Sequence, residues 1–373
     1  MVWRLPLGSL ALASALMFQL PLFGAASSAA KDPAFTDFFR RTNGWEAGDG
    51  AISVALSGGR TLWLFGDSYV DQLDPATKRL PCMFNARNAA LLQSLNDPQH
   101  PETLRAANGG RSFFRPPAAK VGDPWPCFWP GAGYEHGGIV WVSLMEIQKT
   151  PEGGVWGFKL TGQYWGAMQA TNLTSVIYTK LPSFNGISFA NGFVPDEARG
   201  CVHAFGEKGH GIASDVYVAR FPINDPAGPW SFWNGRTWVP NITNAAPVAQ
   251  GNSTSVNVCR ARGKFLLFST EFSVACDQGR QIFLSVSERP TGPFSAPKSI
   301  YTIDDPVQGH QPFFYGANAH PESINAQGEL LVTYCINGYE PCVPSCVNGR
   351  FDADYYRPRA IRVLVGQIDR LGH

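Results

Sequence analysis

Charge is scarce in this chain and nowhere concentrated. Asp, Glu, Lys and Arg make up 16% of its 373 residues, and the formal net charge is +1. With no basic run and no excess of either sign, nothing points to a nucleic-acid partner. Helical periodicity is almost absent; beyond the N-terminus the apolar residues fall in short runs cut by Gly, Pro and Asn. There is no G-x-x-x-x-G-K-[ST], no G-x-G-x-x-G and no G-x-S-x-G, which removes the usual signatures of nucleotide binding and of a serine nucleophile on an elbow. The seven histidines are scattered, so no metal and no cofactor is expected; Asp352 and Asp354 alone hint faintly at calcium. After residue 23 no apolar stretch is long enough to span a bilayer.

The N-terminus carries the one long apolar run. Arg4 precedes Leu5 to Phe23, and Gly24 to Ala30 are all small. This pattern predicts a secretory signal over residues 1–30, cut near residues 26–30, with Pro6 and Pro21 arguing against a retained anchor. The mature chain, 31–373, is then expected outside the cell as one domain, with no membrane attachment, as a monomer. Eight cysteines, an even number in an oxidising compartment, predict disulfides of open connectivity. Cys335, Cys342 and Cys346 lack zinc-site spacing and read as a stapled loop. Asn172, Asn241 and Asn252 each begin a glycosylation sequon.

The most informative stretch runs from Gly44 to Asp71. Two apolar runs, Ala51–Leu56 and Thr61–Phe65, flank Ser57-Gly58-Gly59-Arg60, which reads as a hairpin. Folding about the two glycines brings Asp49 opposite, or nearly opposite, Asp67. Opposed residues of an antiparallel pair share a face, with Cβ atoms about 4.5–5.5 Å apart. Gly48, Gly50 and Gly66 flank the two acids and let backbone or ligand approach. Two carboxylates held this close suit acid/base or nucleophilic work on a glycosidic bond. The plainer alternative is that two acids punctuate two strand ends.

The hairpin has echoes. Leu62–Asp67 is followed in kind by Val202–Glu207 and Leu266–Glu271, each an apolar strand ending in an acid. Asp225–Trp230 and Arg289–Phe294 form a second echo, and hairpins over Trp129–Glu146 and Asn318–Ile336 keep the phase. Five units of roughly sixty residues, each of a few antiparallel strands, predict an all-β, five-bladed propeller, with a β-sandwich as the rival. In a propeller the starts of first strands and the ends of second strands converge on one face. That would gather Asp49, Asp67, Trp129, Asn191, Glu207, Asn252, Glu271, His320 and Glu322 at one pocket. Trp129 would stack a sugar or pack between blades. Asn88 and Asn191 would bind hydroxyls or serve turns. Glu207 and Glu271 would tune the aspartates or bind hydroxyls, and His320 would join the site or tie down a strand end.

Several of these motifs together resemble a known family. Gly48-Asp49-Gly50, Phe65-Gly66-Asp67-Ser68, Arg87-Asn88-Ala89-Ala90, Phe128-Trp129-Pro130-Gly131 and Ala319-His320-Pro321-Glu322 are similar to those of secreted five-bladed propellers that include endo-D-arabinanases. The resemblance runs from Trp45 to Ile368 and implies a retaining glycoside hydrolase acting on arabinan-type furanosides. It implies Asp49 as nucleophile and Asp67 as acid/base. The chain departs from that family at Trp129–Ala132 and in the cysteine-rich stretch after Cys335.

Two functional classes remain from sequence. One is a hydrolase of a polysaccharide or oligosaccharide. The other is a lectin-like propeller that binds sugar without cutting it. The opposed aspartates favour the first, because facing carboxylates repel and bring a lectin nothing. A propeller hydrolase of other sugar specificity, sialidase-like or fructosidase-like, is a further alternative, although the S-x-D-x-G-x-x-W box of sialidases is missing.

Overall fold

The first hairpin forms where the glycines require it. Ile52–Leu56 pairs antiparallel with Arg60–Phe65, and Gly58 and Gly59 both take positive φ in the loop between them. The second strand is apolar from Leu62 to Phe65 because both of its faces are covered there. Leu62 and Leu64 pack toward the next blade with Val140, Val142 and Leu144. Trp63 and Phe65 point the other way, onto Phe38, Phe39 and Ala360. A strand buried on two faces reads as a continuous apolar run rather than an alternating one.

In this computed structural model, residues 29–364 and 366 are described, apart from 108, 121, 154–156, 211–212, 254, 273–278, 339–342 and 344. The chain is a five-bladed β-propeller. Blade 1 contains Ile52–Leu56, Arg60–Phe65, Ala89–Gln93 and Glu102–Thr103. Blade 2 runs through Cys127–His136, Ile139–Lys149, Phe158–Gln169 and Asn172–Lys180. Ser188–Asp196, Cys201–His210, Ala213–Pro222 and Ser231–Trp233 build blade 3, extended by Trp238–Val239. Blade 4 is Asn257–Ala261, Lys264–Thr270, Gln281–Ser287 and Lys298–Thr302, and blade 5 holds Phe313–His320, Glu329–Asn337 and Arg359–Leu364. The first strand of each blade contacts that of the next, and that of blade 5 returns to blade 1. Approach at the axis is close: a Cβ on Gly192 would fall 1.9 Å from the Val258 carbonyl oxygen.

The fourth strand of blade 5 is Ala29–Lys31, which pairs antiparallel with Ile361–Val363. Ala29 and Ala30, given above to the leader, therefore belong to the sheet; the residues before them lie outside the described ones. Asp32 caps the short helix Pro33–Phe38 and also bonds Arg362 Nε at 2.7 Å. Blade 5 starts earlier than its sequence suggested: the first strand begins at Phe313, not Asn318.

The cysteine expectation is corrected. Among the described residues one disulfide forms, Cys82–Cys346, while Cys127, Cys201, Cys259 and Cys335 are unpaired and buried. These four sit in blades 2, 3, 4 and 5 respectively, so no two share a sheet. Cys276 and Cys342 lie outside the described residues. Of the sequons, Asn172 and Asn241 are exposed but Asn252 is buried. Alkylation of the unreduced protein should therefore leave Cys127, Cys201, Cys259 and Cys335 unmodified in the native state and label all four after denaturation. Peptide mapping that found any of them oxidised to a disulfide would contradict this arrangement.

Candidate functional site

Asp49 and Asp67 face each other through backbone pairing. Gly66 N donates to the Asp49 carbonyl at 2.8 Å, and Asp49 N to the Asp67 carbonyl at 3.4 Å, one step beyond the Ile52–Leu64 pair. Gly50 and Ala51 both take positive φ, turning the chain sharply into the first strand of blade 1. Gly66 makes room for the acid. A Cβ there would lie 2.4 Å from Asp49 Oδ1, so any larger residue displaces the carboxylate.

The two carboxyls live in unlike surroundings. Burial raises the pKa of Asp49, but hydroxyls from Tyr315 and Tyr356 bond its anion and oppose the rise. The Tyr315 hydroxyl donates to Oδ2 at 2.8 Å. Beside them, Gly50 N donates to Cys335 Sγ at 3.1 Å. Asp67 is pushed up to about 7, first by burial and then by the charge of Asp49. Its compensating contacts are long: Arg87 Nη1 at 3.3 Å from both oxygens and Trp129 Nε1 at 3.3 Å. Arg87 is held in turn by aromatic faces, 4.9 Å from Phe84 and 4.0 Å from Trp125.

This pair lies in a cavity of about 1230 Å³. Of the expected residues, Trp129, Asn191, Glu207 and Glu271 line it with the two aspartates. Glu207 stands on the blade 3 wall. Burial raises its pKa, against bonds from Ser255 N and Ser214 Oγ. Glu271 accepts from Arg280 N at 2.8 Å and Gln281 N at 3.2 Å. Phe272 and Phe313 add apolar wall, and the Cys82–Cys346 bridge lies at the same cavity.

Four expected residues lie elsewhere. Asn88 is fully buried and bonded to Phe114 and Phe128 backbone, where it ties a loop to blade 2. His320 ends the first strand of blade 5 rather than starting it, which puts it at the far end from the cavity. It is fully buried, with Ser53 Oγ at 2.6 Å from Nδ1 and Thr333 Oγ1 at 2.9 Å from Nε2. Glu322 follows in the next turn and bonds Ser53. Asn252 is buried on the Ala213–Pro222 edge, outside the cavity lining. The residues that matter and that sequence reasoning missed are Tyr315, Tyr356, Arg87 and Trp125. The Arg87-Asn88 motif was the one available signal, read at the wrong residue. Asp352 caps a turn and Asp354 pairs with Arg357 and Arg40, so the faint calcium pattern has other work.

A raised Asp67 pKa carries a stability signature. Its folded value, about 7, lies above the ordinary 3.8, so the folded state holds the proton more tightly. The stabilisation is complete below about pH 4 and is lost as pH rises through 7. Between pH 5 and pH 8 the wild type should lose on the order of 3 kcal/mol more than Asp67→Asn. Denaturant midpoints of both proteins at the two pH values measure this; parallel losses would remove the assigned environment.

No curated protein matches this chain. Among solved structures, a candidate hydrolase from Bacteroides ovatus superposes with a TM-score of 0.69 at 19% identity, over 90% of this chain and 89% of that one. An inulosucrase from Halalkalicoccus jeotgali, solved with kestose bound, superposes with a TM-score of 0.51 at 14% identity, over 86% and 84%. At these identities the likeness is one of fold. Residues 32–365 match the model of a family described as a domain of unknown function, DUF5005, and the chain belongs to that family.

Proposed function

We propose that this chain is a secreted, monomeric glycoside hydrolase that cleaves furanosidic linkages of the arabinan type, D-arabinan included, with retention of configuration. The observation that carries the reading is the pair of facing carboxyls in unlike environments within one large cavity. Asp49, held by two tyrosine hydroxyls, is the better anion; Asp67, pushed up to about 7 and weakly compensated, still carries its proton in a large share of molecules near neutral pH and in most of them below it. Neighbours of the same fold bear the names of a candidate hydrolase and of an inulosucrase bound to kestose, which is in keeping with a sugar substrate.

In the first step Asp49 attacks the anomeric carbon, and the bond to the leaving oxygen breaks as Asp67 protonates that oxygen. A glycosyl ester on Asp49 results. Water then attacks the same carbon, giving a proton to Asp67, and Asp49 leaves as the anion it was. Arg87 limits how far the Asp67 pKa rises, and Trp129 orients its carboxyl. Retention is the reading that opposition across one hairpin supports, since opposed residues have Cβ atoms about 4.5–5.5 Å apart and retaining carboxyls lie about 5–5.5 Å apart, against about 6.5–9.5 Å for inverting pairs. Glu207 supports a second reading: a buried carboxyl of raised pKa on another blade could act as the acid of an inverting enzyme, with Asp49 as base.

Proton NMR of the first-formed sugar decides between these, retention favouring Asp67 and inversion favouring Glu207. On a cleaved arabinan, Asp49→Asn and Asp67→Asn should each cost several orders of magnitude in turnover, and the double change little more. The alkaline limb of kcat/KM should fall near pH 7 and move upward in Arg87→Met, which removes a positive charge from Asp67. Turnover within a few-fold of wild type in both Asn variants would end the proposal. Tight binding of arabinan with no turnover would return the lectin reading.

A further inference from the structure

The strand Ser188–Asp196 begins at the large cavity and ends on the opposite face, beside a second cavity of about 310 Å³ between blades 3 and 4. That is the lower end of the range of small-ligand sites, about 300–1,000 Å³, and enough for one sugar ring with a charged substituent. Its charge is unbalanced. Arg199 is spent on Asp196 at 2.7 Å, and Glu288 is paired with Lys264 at 3.0 Å. Arg220, Arg260 and Arg289 also line it, and none has a carboxylate partner among the described residues. Two of these guanidiniums are oriented by aromatic faces: Arg220 over Trp238 at 4.6 Å and Arg260 over Phe265 at 5.7 Å. Stacking of this kind sets the plane and leaves N–H edges to grip a carboxylate or sulfate.

A second observation points the same way. His203, only 5% exposed, lines this cavity, and its Nδ1 has no hydrogen-bond partner. Burial pushes its pKa down to about 4 against the opposing charge of Asp196, with Arg220, Arg199 and Arg260 adding to the fall, so the ring is neutral at pH 7. Buried polar atoms normally find a partner, and this one belongs to a ring that lines a cavity with an excess of guanidinium groups.

A cation is the competing occupant, because ligand atoms of Asp196, Cys201 and His203 lie within 4.8 Å of one another. Three things oppose it. Asp196 would have to release Arg199, burial holds the Cys201 thiol protonated, and a dication would meet three uncompensated guanidiniums. The charge balance favours an anion.

We propose that this cavity is a second saccharide site that takes an acidic sugar unit, its carboxylate or sulfate held by Arg220, Arg260 and Arg289 and its ring set against Trp233 and Trp238. The site stands apart from the large cavity, and its existence does not depend on hydrolysis there.

Titration calorimetry of the full chain with glucuronate, glucose 6-sulfate, glucose and sodium sulfate at fixed ionic strength tests this. Both charged sugars should bind, glucose should not, and inorganic sulfate should bind more weakly than glucose 6-sulfate. Arg220→Gln with Arg260→Gln should weaken binding by at least about tenfold, while Asp49→Asn leaves it unchanged. Should Arg220→Gln fail to fold, Arg260→Gln alone, at an exposed position, serves the same comparison. Binding should also shift the His203 ring resonances. If neither charged sugar binds, or the Arg variants bind as tightly as wild type, the site is refuted. Inorganic sulfate as tight as the sulfated sugar would overturn the saccharide assignment, and zinc binding that shifts His203 in place of the sugars would reinstate the cation.

Discussion

Antiparallel pairing of Ala29–Lys31 with Ile361–Val363 sets an early segment of the chain into the last blade, and the geometry of the ring depends on it. Without that strand the outer N–H and C=O groups of Ile361–Val363 would lose their partners. The same segment leads directly into the helix Pro33–Phe38, whose Phe35 and Phe38, with Phe39 just beyond its end, surround Trp63. Trp63 belongs to the second strand of the hairpin that holds Asp49 and Asp67. Ring closure, helix docking and the position of the two acids are thus successive contacts along one path.

Burial governs the chemistry of that pair. Taking a carboxyl out of water favours its neutral form, and a second negative charge nearby favours it further. The chain answers asymmetrically. Tyr315 from blade 5 and Tyr356 from the loop before its third strand serve Asp49, whereas Asp67 receives only distant contacts from Arg87 and Trp129. Unequal hydrogen bonding, more than unequal burial, separates the two groups.

Much of this was legible in the sequence, for a stateable reason. Hairpin turns rich in glycine and asparagine, strands apolar on both faces, and an acid at a strand end are local features, so the blades and the Asp49–Asp67 opposition followed from them. What was lost depended on distance along the chain. Tyr315 and Tyr356 reach Asp49 from the far end of the sequence, and no local pattern marks them. Reading the first strand of blade 5 from Asn318 instead of Phe313, five residues late, puts His320 at the cavity. In a strand that spans the ring from face to face, such an error moves a residue to the opposite face. Cysteine parity failed similarly: Cys127, Cys201, Cys259 and Cys335 are apolar core residues of separate blades, so their number says nothing of pairing.

Because a single hairpin carries both aspartates, their spacing is fixed by a register within one blade and not by the packing of five. The walls around them come from other units, Trp129 from blade 2, Glu207 from blade 3 and Phe313 from blade 5. Substitutions on those walls can reshape what the cavity admits while the carboxyl pair stays as it was. The carboxyl pair and the surface around it can therefore change independently of each other.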